Sequence, residues 1–297
     1  MTNGVRAFAR YGWAVLAWNV FVVLWGAFVR ATGSGAGCGE HWPLCNGVVV
    51  PRSPQMGTII EFFHRVTSGM ALIGVLILLV WAIRLFPKGH RARRYSWASL
   101  GLIIVEALLG AGLVLLAYVE KNASAGRAVY LCLHLTNTLL LLAALAAAAW
   151  FAKWPEGEWR RVPRMLWTAL GVALLASLTG AIAALGDTIW PAVSLAEGMR
   201  AEFAASAPLL LRLRLVHPVV ASAAGVFLLL TAFLLLKGRM KTWMVALVVV
   251  QLAAGGINIV LLAPVWMQIL HLALAVGVWL WLVAGTLEAQ GSEAPLR

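Results

Sequence analysis

Hydrophobic residues in this chain are gathered into eight long runs, near residues 11–29, 66–86, 95–118, 128–151, 164–186, 209–236, 242–262 and 266–287. Each has about the 20 residues that an α-helix needs to cross a bilayer core of roughly 30 Å. The pattern predicts an all-α integral membrane protein with eight transmembrane helices. The first run resembles a secretory leader, with Arg6 and Arg10 before it and small residues after it. Its apolar stretch is longer than a leader's, however, and Arg30 comes before the small residues, so it is taken as a span.

Composition supports a protein immersed in lipid. Of the 297 residues, 62% are hydrophobic and 11% charged, where a soluble domain carries about 25% charge. The net charge of +12 and pI near 10.6 would suit a nucleic-acid binder. The basic residues lie instead in short clusters between the runs, which excludes nucleic acid. With a cytoplasmic N-terminus, the cytoplasmic side holds Arg6 and Arg10; Arg84, Lys88, Arg91, Arg93 and Arg94; Lys153, Arg160, Arg161 and Arg164; Lys237, Arg239 and Lys241; and Arg297. These are 15 of the 23 basic residues, the bias that orients multi-span proteins. The expected location is the cell membrane, with both termini cytoplasmic and the loops after spans one, three, five and seven facing out.

The chain also repeats itself. Gly26-Ala-Phe-Val-Arg-Ala-Thr-Gly resembles Gly180-Ala-Ile-Ala-Ala-Leu-Gly, 154 residues on, and His64 and His217 each open the next span, 153 apart. Glu106-Ala-Leu-Leu-Gly-Ala-Gly resembles Gln251-Leu-Ala-Ala-Gly-Gly-Ile, and Leu133-His134-Leu135 resembles Leu270-His271-Leu272. Two pseudo-symmetric four-helix bundles follow, residues 1–155 and 156–297, related by an axis along the membrane normal. The hinge between them is expected at Lys153 to Pro163.

The chemistry gathers at Ile60-Glu61-Phe62-Phe63-His64-Arg65. On a helix Glu61, His64 and Arg65 share one face, and ionisable groups in a span are costly and usually functional. His134, His217 and His271 recur in register at similar depth, one histidine from the second and one from the fourth helix of each half. Two imidazoles on facing helices can ligate one haem iron, so the pattern suggests two haem sites; zinc would want Cys or carboxylate partners in a tetrahedral set. His41 and His90 lack the register and are expected to be solvated. Glu61 can be a partner for Arg65 or a carboxylate that moves protons beside a haem. Arg65, Arg212 and Arg214 can each face a propionate, or, for the last two, anchor at the interface. Cys38 and Cys45 flank an outer loop in which a disulfide is permitted, as a clip or as a redox element. Cys132 reads as an inert small hydrophobe. Glu106, mid-membrane in span three, and its counterpart Gln251 suggest polar contacts inside each bundle, with proton transfer the alternative for Glu106. The fifteen Trp fall mostly near span ends, as interfacial belts do.

Arg30-Ala-Thr-Gly-Ser-Gly, Cys38-Gly-Glu-His-Trp-Pro-Leu-Cys45 and Ile60-Glu-Phe-Phe-His-Arg-Val-Thr-Ser-Gly69 together resemble the haem A synthase family. The likeness runs on through Leu133-His134, Val216-His217-Pro218 and Gln251 to His271. It implies oxidation of the C8 methyl group of haem O to a formyl group, giving haem A for terminal oxidases. It also implies substrate haem O between His64 and His134, and a haem b cofactor between His217 and His271. Glu61 matches the glutamate of the family's EXXHR motif, and Cys38 and Cys45 its first-loop pair. The chain departs in two places: residues 187–208 contain no cysteine, where some members carry a second pair, and Glu106 stands where an amide is expected.

Two other readings use the same histidines. A bis-histidine cytochrome b that passes electrons between quinol and an outer acceptor leaves Glu61 and the cysteine pair unexplained. A haem carrier would bind its cargo too firmly to release it. Haem O synthase and a membrane or soluble electron carrier are the expected partners besides the bilayer, and both a monomer and a homo-oligomer stay open.

Overall fold

A computed structural model describes residues 3–153 and 161–291. Its helices are α1 Asn3–Ala31, α2 Met56–Leu85, α3 Arg91–Leu115, α4 Ala125–Phe151, α5 Arg164–Ile189, α6 Leu195–Phe203, α7 Leu209–Arg212, α8 Val216–Leu235, α9 Gly238–Val260 and α10 Val265–Gly291. Eight spans are long and apolar enough to cross a membrane, the sixth running from Leu209 to Leu235 through α7, a 3₁₀ turn at Leu213–Leu215, and α8. Most of the expected hinge, with the boundary between 155 and 156, lies outside the described residues, as do Arg160 and Arg297.

The helices pack as two rings. In the first, α2 and α4 each touch both α1 and α3; in the second, α8 and α10 each touch both α5 and α9. The rings meet through α1 and α4 on one side and α5 and α10 on the other. α4 is the most enclosed span, with 56% of its most apolar stretch buried against 17% for α3 and α9. Its run Ala143–Ala149 keeps the backbone narrow, and α1 uses this: a Cβ on Gly12 would stand 2.9 Å from that of Ala149. The core of Phe8, Leu16, Val75, Leu78, Leu142, Leu145, Ala173, Leu228, Met244, Val276 and Leu282 is continuous across both rings. Large apolar side chains on the outer faces, such as Val80, Leu108 and Phe233, are exposed, as lipid-facing positions of a span are.

Three details differ from the pattern. α2 begins at Met56, ten residues before its apolar run, so Glu61 and His64 lie inside the helix and not at its opening. The sixth span is broken because Pro218 has no N–H and its ring crowds the carbonyl four residues back, so the chain tightens into a 3₁₀ turn before continuing. His90 caps α3, its Nδ1 accepting from Ala92 N at 3.1 Å, and stacks on Phe86 at 4.3 Å; it is half-buried, not simply solvated.

Candidate functional site

Each of the four repeated histidines lies against a glycine of the neighbouring helix. A Cβ placed on Gly26 of α1 would stand 3.0 Å from Cε1 of His64 on α2. On Gly180 of α5 it would meet Cε1 of His217 at 3.0 Å, and on Gly255 of α9 that of His271 at 3.1 Å. Gly110 of α3 leaves 3.9 Å to His134. Close-packed interiors tolerate no such intrusion at the first three. Gly26 and Gly180 open one repeated motif, and Gly110 and Gly255 follow Glu106 and Gln251 by four residues in the other. The internal repeat thus marks four histidines, each backed by a glycine.

All four imidazoles are half-buried. The rings of His217 and His271 are 6.3 Å apart and inclined at 78°, and His64 and His134 lie within electrostatic reach of each other. A metal about 2 Å from one nitrogen of each ring calls for ring centres about 6 Å apart. Nδ1 of His64, His134 and His271 are buried without a hydrogen-bond partner, and His217 Nδ1 lies 3.2 Å from the Thr179 hydroxyl. Among the described residues no three His, Cys, Asp or Glu side chains converge. What each half offers is a pair of imidazoles, a donor set that fits an axially ligated haem.

The groups beside these pairs differ. In the first half Glu106 accepts from Asn137 Nδ2 at 2.5 Å and from the Thr138 hydroxyl, and its Oε1 is 3.5 Å from His134 Nδ1. In the second half Gln251 Nε2 is 3.3 Å from His271 Nε2.

Glu61 is buried, 4% exposed, and tied to the first loop. Its Oε2 accepts from Cys38 N at 2.8 Å, and Oε1 from Arg65 Nε at 3.1 Å and Nη2 at 2.5 Å. Arg65 Nη1 donates to the carbonyls of His41 and Leu44, at 2.6 and 2.5 Å, and the Thr58 hydroxyl to Gly37 O at 2.7 Å. Cys38 and Cys45 form a disulfide, so a clipped loop sits docked on α2 one turn from His64. Cys132 is free and half-buried.

The second half uses another clamp. Arg214 bridges Asp187 and Glu202, each at 3.1 Å, and donates to Trp190 O at 3.2 Å. Burial pushes the Glu202 carboxyl above its ordinary value, opposed by the Arg214 guanidinium. Arg212 donates to the carbonyls of Ala204 and Ala205. The three arginines considered for propionates are thus all engaged by protein groups, Arg65 by Glu61 and loop carbonyls, Arg212 by loop carbonyls, and Arg214 chiefly by carboxylates of α5 and α6. Sequence reasoning passed over Asp187, Glu202, Thr179, Asn137, Thr138 and the positions of the glycines; only the last had a visible signal, their place in the repeat.

Comparison with known proteins follows the same residues. The family model described as "Cytochrome oxidase assembly protein", COX15-CtaA, matches residues 9–283. Two proteins named "Protoheme IX farnesyltransferase", from two strains of Thermus thermophilus, are 47% and 46% identical over 286 residues, 93% of this chain. The chain spans about half the length of these curated relatives, 47% of each. A protein named "Heme A synthase" from Alkalihalophilus pseudofirmus is 46% identical over 95 residues, 32% of either chain.

Proposed function

From a chain that belongs to the COX15-CtaA family of cytochrome oxidase assembly proteins, and so to the haem A synthase family that its motifs resemble, we propose a membrane oxidoreductase that converts the C8 methyl of haem O to a formyl group. The observation that carries this is the asymmetry between the halves. Both offer two imidazoles, but in the first the residue one turn before the histidine is a buried carboxylate, Glu61, bonded to a disulfide loop, while in the second it is Arg214, clamped by Asp187 and Glu202.

In this reading His64 and His134 hold the substrate haem O, and His217 and His271 hold haem b. Haem b, when bound there, supplies one-electron redox chemistry. Glu61 is positioned to take up a proton at a carboxylate oxygen during methyl oxidation, while Arg65 holds that carboxylate and the loop above it in place. The backing glycines let the imidazoles approach their neighbouring helices. The length and name of the Thermus relatives support a protoheme IX farnesyltransferase acting next to this chain, as the haem O synthase that supplies its substrate. Converting the methyl to a formyl group takes one oxygen atom, from water, and releases four protons and four electrons; a membrane or soluble carrier takes the electrons. The site lies at the outer face of the cell membrane.

One observation favours a second reading, a bis-histidine electron-transfer cytochrome b. Glu61 accepts from Cys38 N of the loop and from Arg65, which itself holds the loop, as a purely structural carboxylate would. Pigment extraction separates the two. Co-expressed with a haem O synthase, the chain should yield haem A, and Glu61→Ala should lose that yield while keeping the haem b spectrum, which His217→Ala or His271→Ala should lose. Undiminished haem A from Glu61→Ala would leave the carboxylate structural, and no haem A from the parent chain would favour the cytochrome.

A further inference from the structure

Glu106 and Gln251 occupy the same place in the two halves and approach the same partner, the histidine of the fourth helix, though at different ring nitrogens: Glu106 at Nδ1 of His134 and Gln251 at Nε2 of His271. One is an acid, the other an amide. The acid is set in its own donor pair: Asn137 Nδ2 bonds one oxygen at 2.5 Å and the Thr138 hydroxyl the other. Asn137 is itself fixed by Leu102 O at 2.8 Å. At the repeat-equivalent positions the second half carries Leu274 and Ala275, which can donate nothing from their side chains. The donors are present only where the acid is. With both oxygens accepting, Glu106 presents acceptor capacity to His134 Nδ1, a buried atom 3.5 Å away with no hydrogen-bond partner.

We propose that Glu106 is a positioning residue that makes His134 a stronger axial donor than His271, so that the first-half haem site has the lower reduction potential of the two. This rests on reading each half as a bis-histidine haem site. An imidazole whose outer N–H donates to a carboxylate is a more basic ligand than one beside an amide, and the carboxylate also fixes its orientation. Ligand basicity and a nearby negative charge both favour oxidised iron, which lowers the potential. The substrate would then be held at the iron that is easier to oxidise, and the cofactor at the iron that more readily accepts an electron.

The test is a redox titration of the full chain loaded with iron protoporphyrin IX, followed at its low-spin bands. A His217→Ala/His271→Ala background reads the first half alone, and His64→Ala/His134→Ala reads the second. In the first, Glu106→Gln should raise the midpoint potential while haem stays bound. In the second, Gln251→Glu with Leu274→Asn and Ala275→Thr, which transplants the set, should lower it. A purely structural Glu106 would change occupancy or melting temperature and leave both potentials where they were; bound haem with unmoved potentials overturns the proposal and leaves the two-haem reading standing. If Glu106→Gln fails to load, the transplant decides alone, and an unmoved potential there overturns it. A parent chain with no low-spin haem in either half sinks the two-haem reading and this proposal with it.

Discussion

A glycine behind each histidine is a strict requirement at three positions and a loose one at the fourth, which gives a matched pair of substitutions. In Gly26→Ala the new methyl would sit 3.0 Å from His64, whereas in Gly110→Ala it would sit 3.9 Å from His134, an ordinary contact. Overpacking of the first kind costs about 1–3 kcal/mol, while Ala in a helix interior gains up to about 1 kcal/mol over Gly. Gly26→Ala should therefore lose first-half haem and melt earlier, and Gly110→Ala should keep its haem and melt no earlier. Spectra and melting curves of the two variants check this, and equal behaviour would remove the packing argument. At this scale the histidines were legible in the sequence because polar residues are rare in these spans, so four in register stand out. The pairing of Glu61 with Arg65 was legible from their i,i+4 spacing, but its bond to the loop was not: the Cys38 N–H it accepts from lies 23 residues away, and nothing local in Ile60–Arg65 announces a docked loop.

Among the elements, the docked loop is the one whose order depends on covalent and polar ties together. Closing a ring of this size is worth about 2–3 kcal/mol in the chain-entropy account, and Arg65, Thr58 and Glu61 hold the loop from below. Cys38→Ser should lower stability by about that amount while the eight spans persist. In the parent chain, alkylation after denaturation without reductant should label Cys132 alone; three labelled cysteines would refute the clip. Element boundaries were legible where lipid dictates them and less so elsewhere. α6 lies in a loop with no apolar run, yet Ser194-Leu-Ala-Glu197 is a helix-start signal, and the Ser194 hydroxyl accepts from Glu197 N at 3.2 Å. α2 starts early because Glu61 and Arg65 satisfy each other and the loop, which lets these charged groups sit within the helix.

For the whole molecule, what joins the rings is polar as well as apolar. Arg30 of α1 donates to Ala184 O at 2.6 Å and the Thr188 hydroxyl at 2.7 Å on α5, and to Gln268 Oε1 at 2.9 Å on α10. Trp279 of α10 reaches Leu139 O of α4 at 2.8 Å. Arg30→Met would leave those acceptors unmatched at about 1–3 kcal/mol, so it should lower the melting temperature of the intact chain; an unchanged value would mean the rings are held by apolar packing alone. The same arrangement fixes a stricter consequence. Eight alternating spans put the start of α1 and the end of α10 on one face, with the disulfide loop and the Arg214 clamp on the other. Among the described residues, the basic clusters at Arg6 and Arg10, Arg84–Arg94, Lys153, Arg161 and Arg164, and Lys237–Lys241 all fall on the first face, the one that a positive-inside bias predicts to be cytoplasmic. The opposite face is where a disulfide persists. Charge bias and cysteine chemistry are independent arguments, and both predict this orientation. Reporter fusions after residues 55 and 205 should therefore read extracytoplasmic and one after residue 90 cytoplasmic. A cytoplasmic signal at 55 would invert the molecule, expose the Cys38–Cys45 bond to reductants, and move all four histidines to the inner side of the membrane.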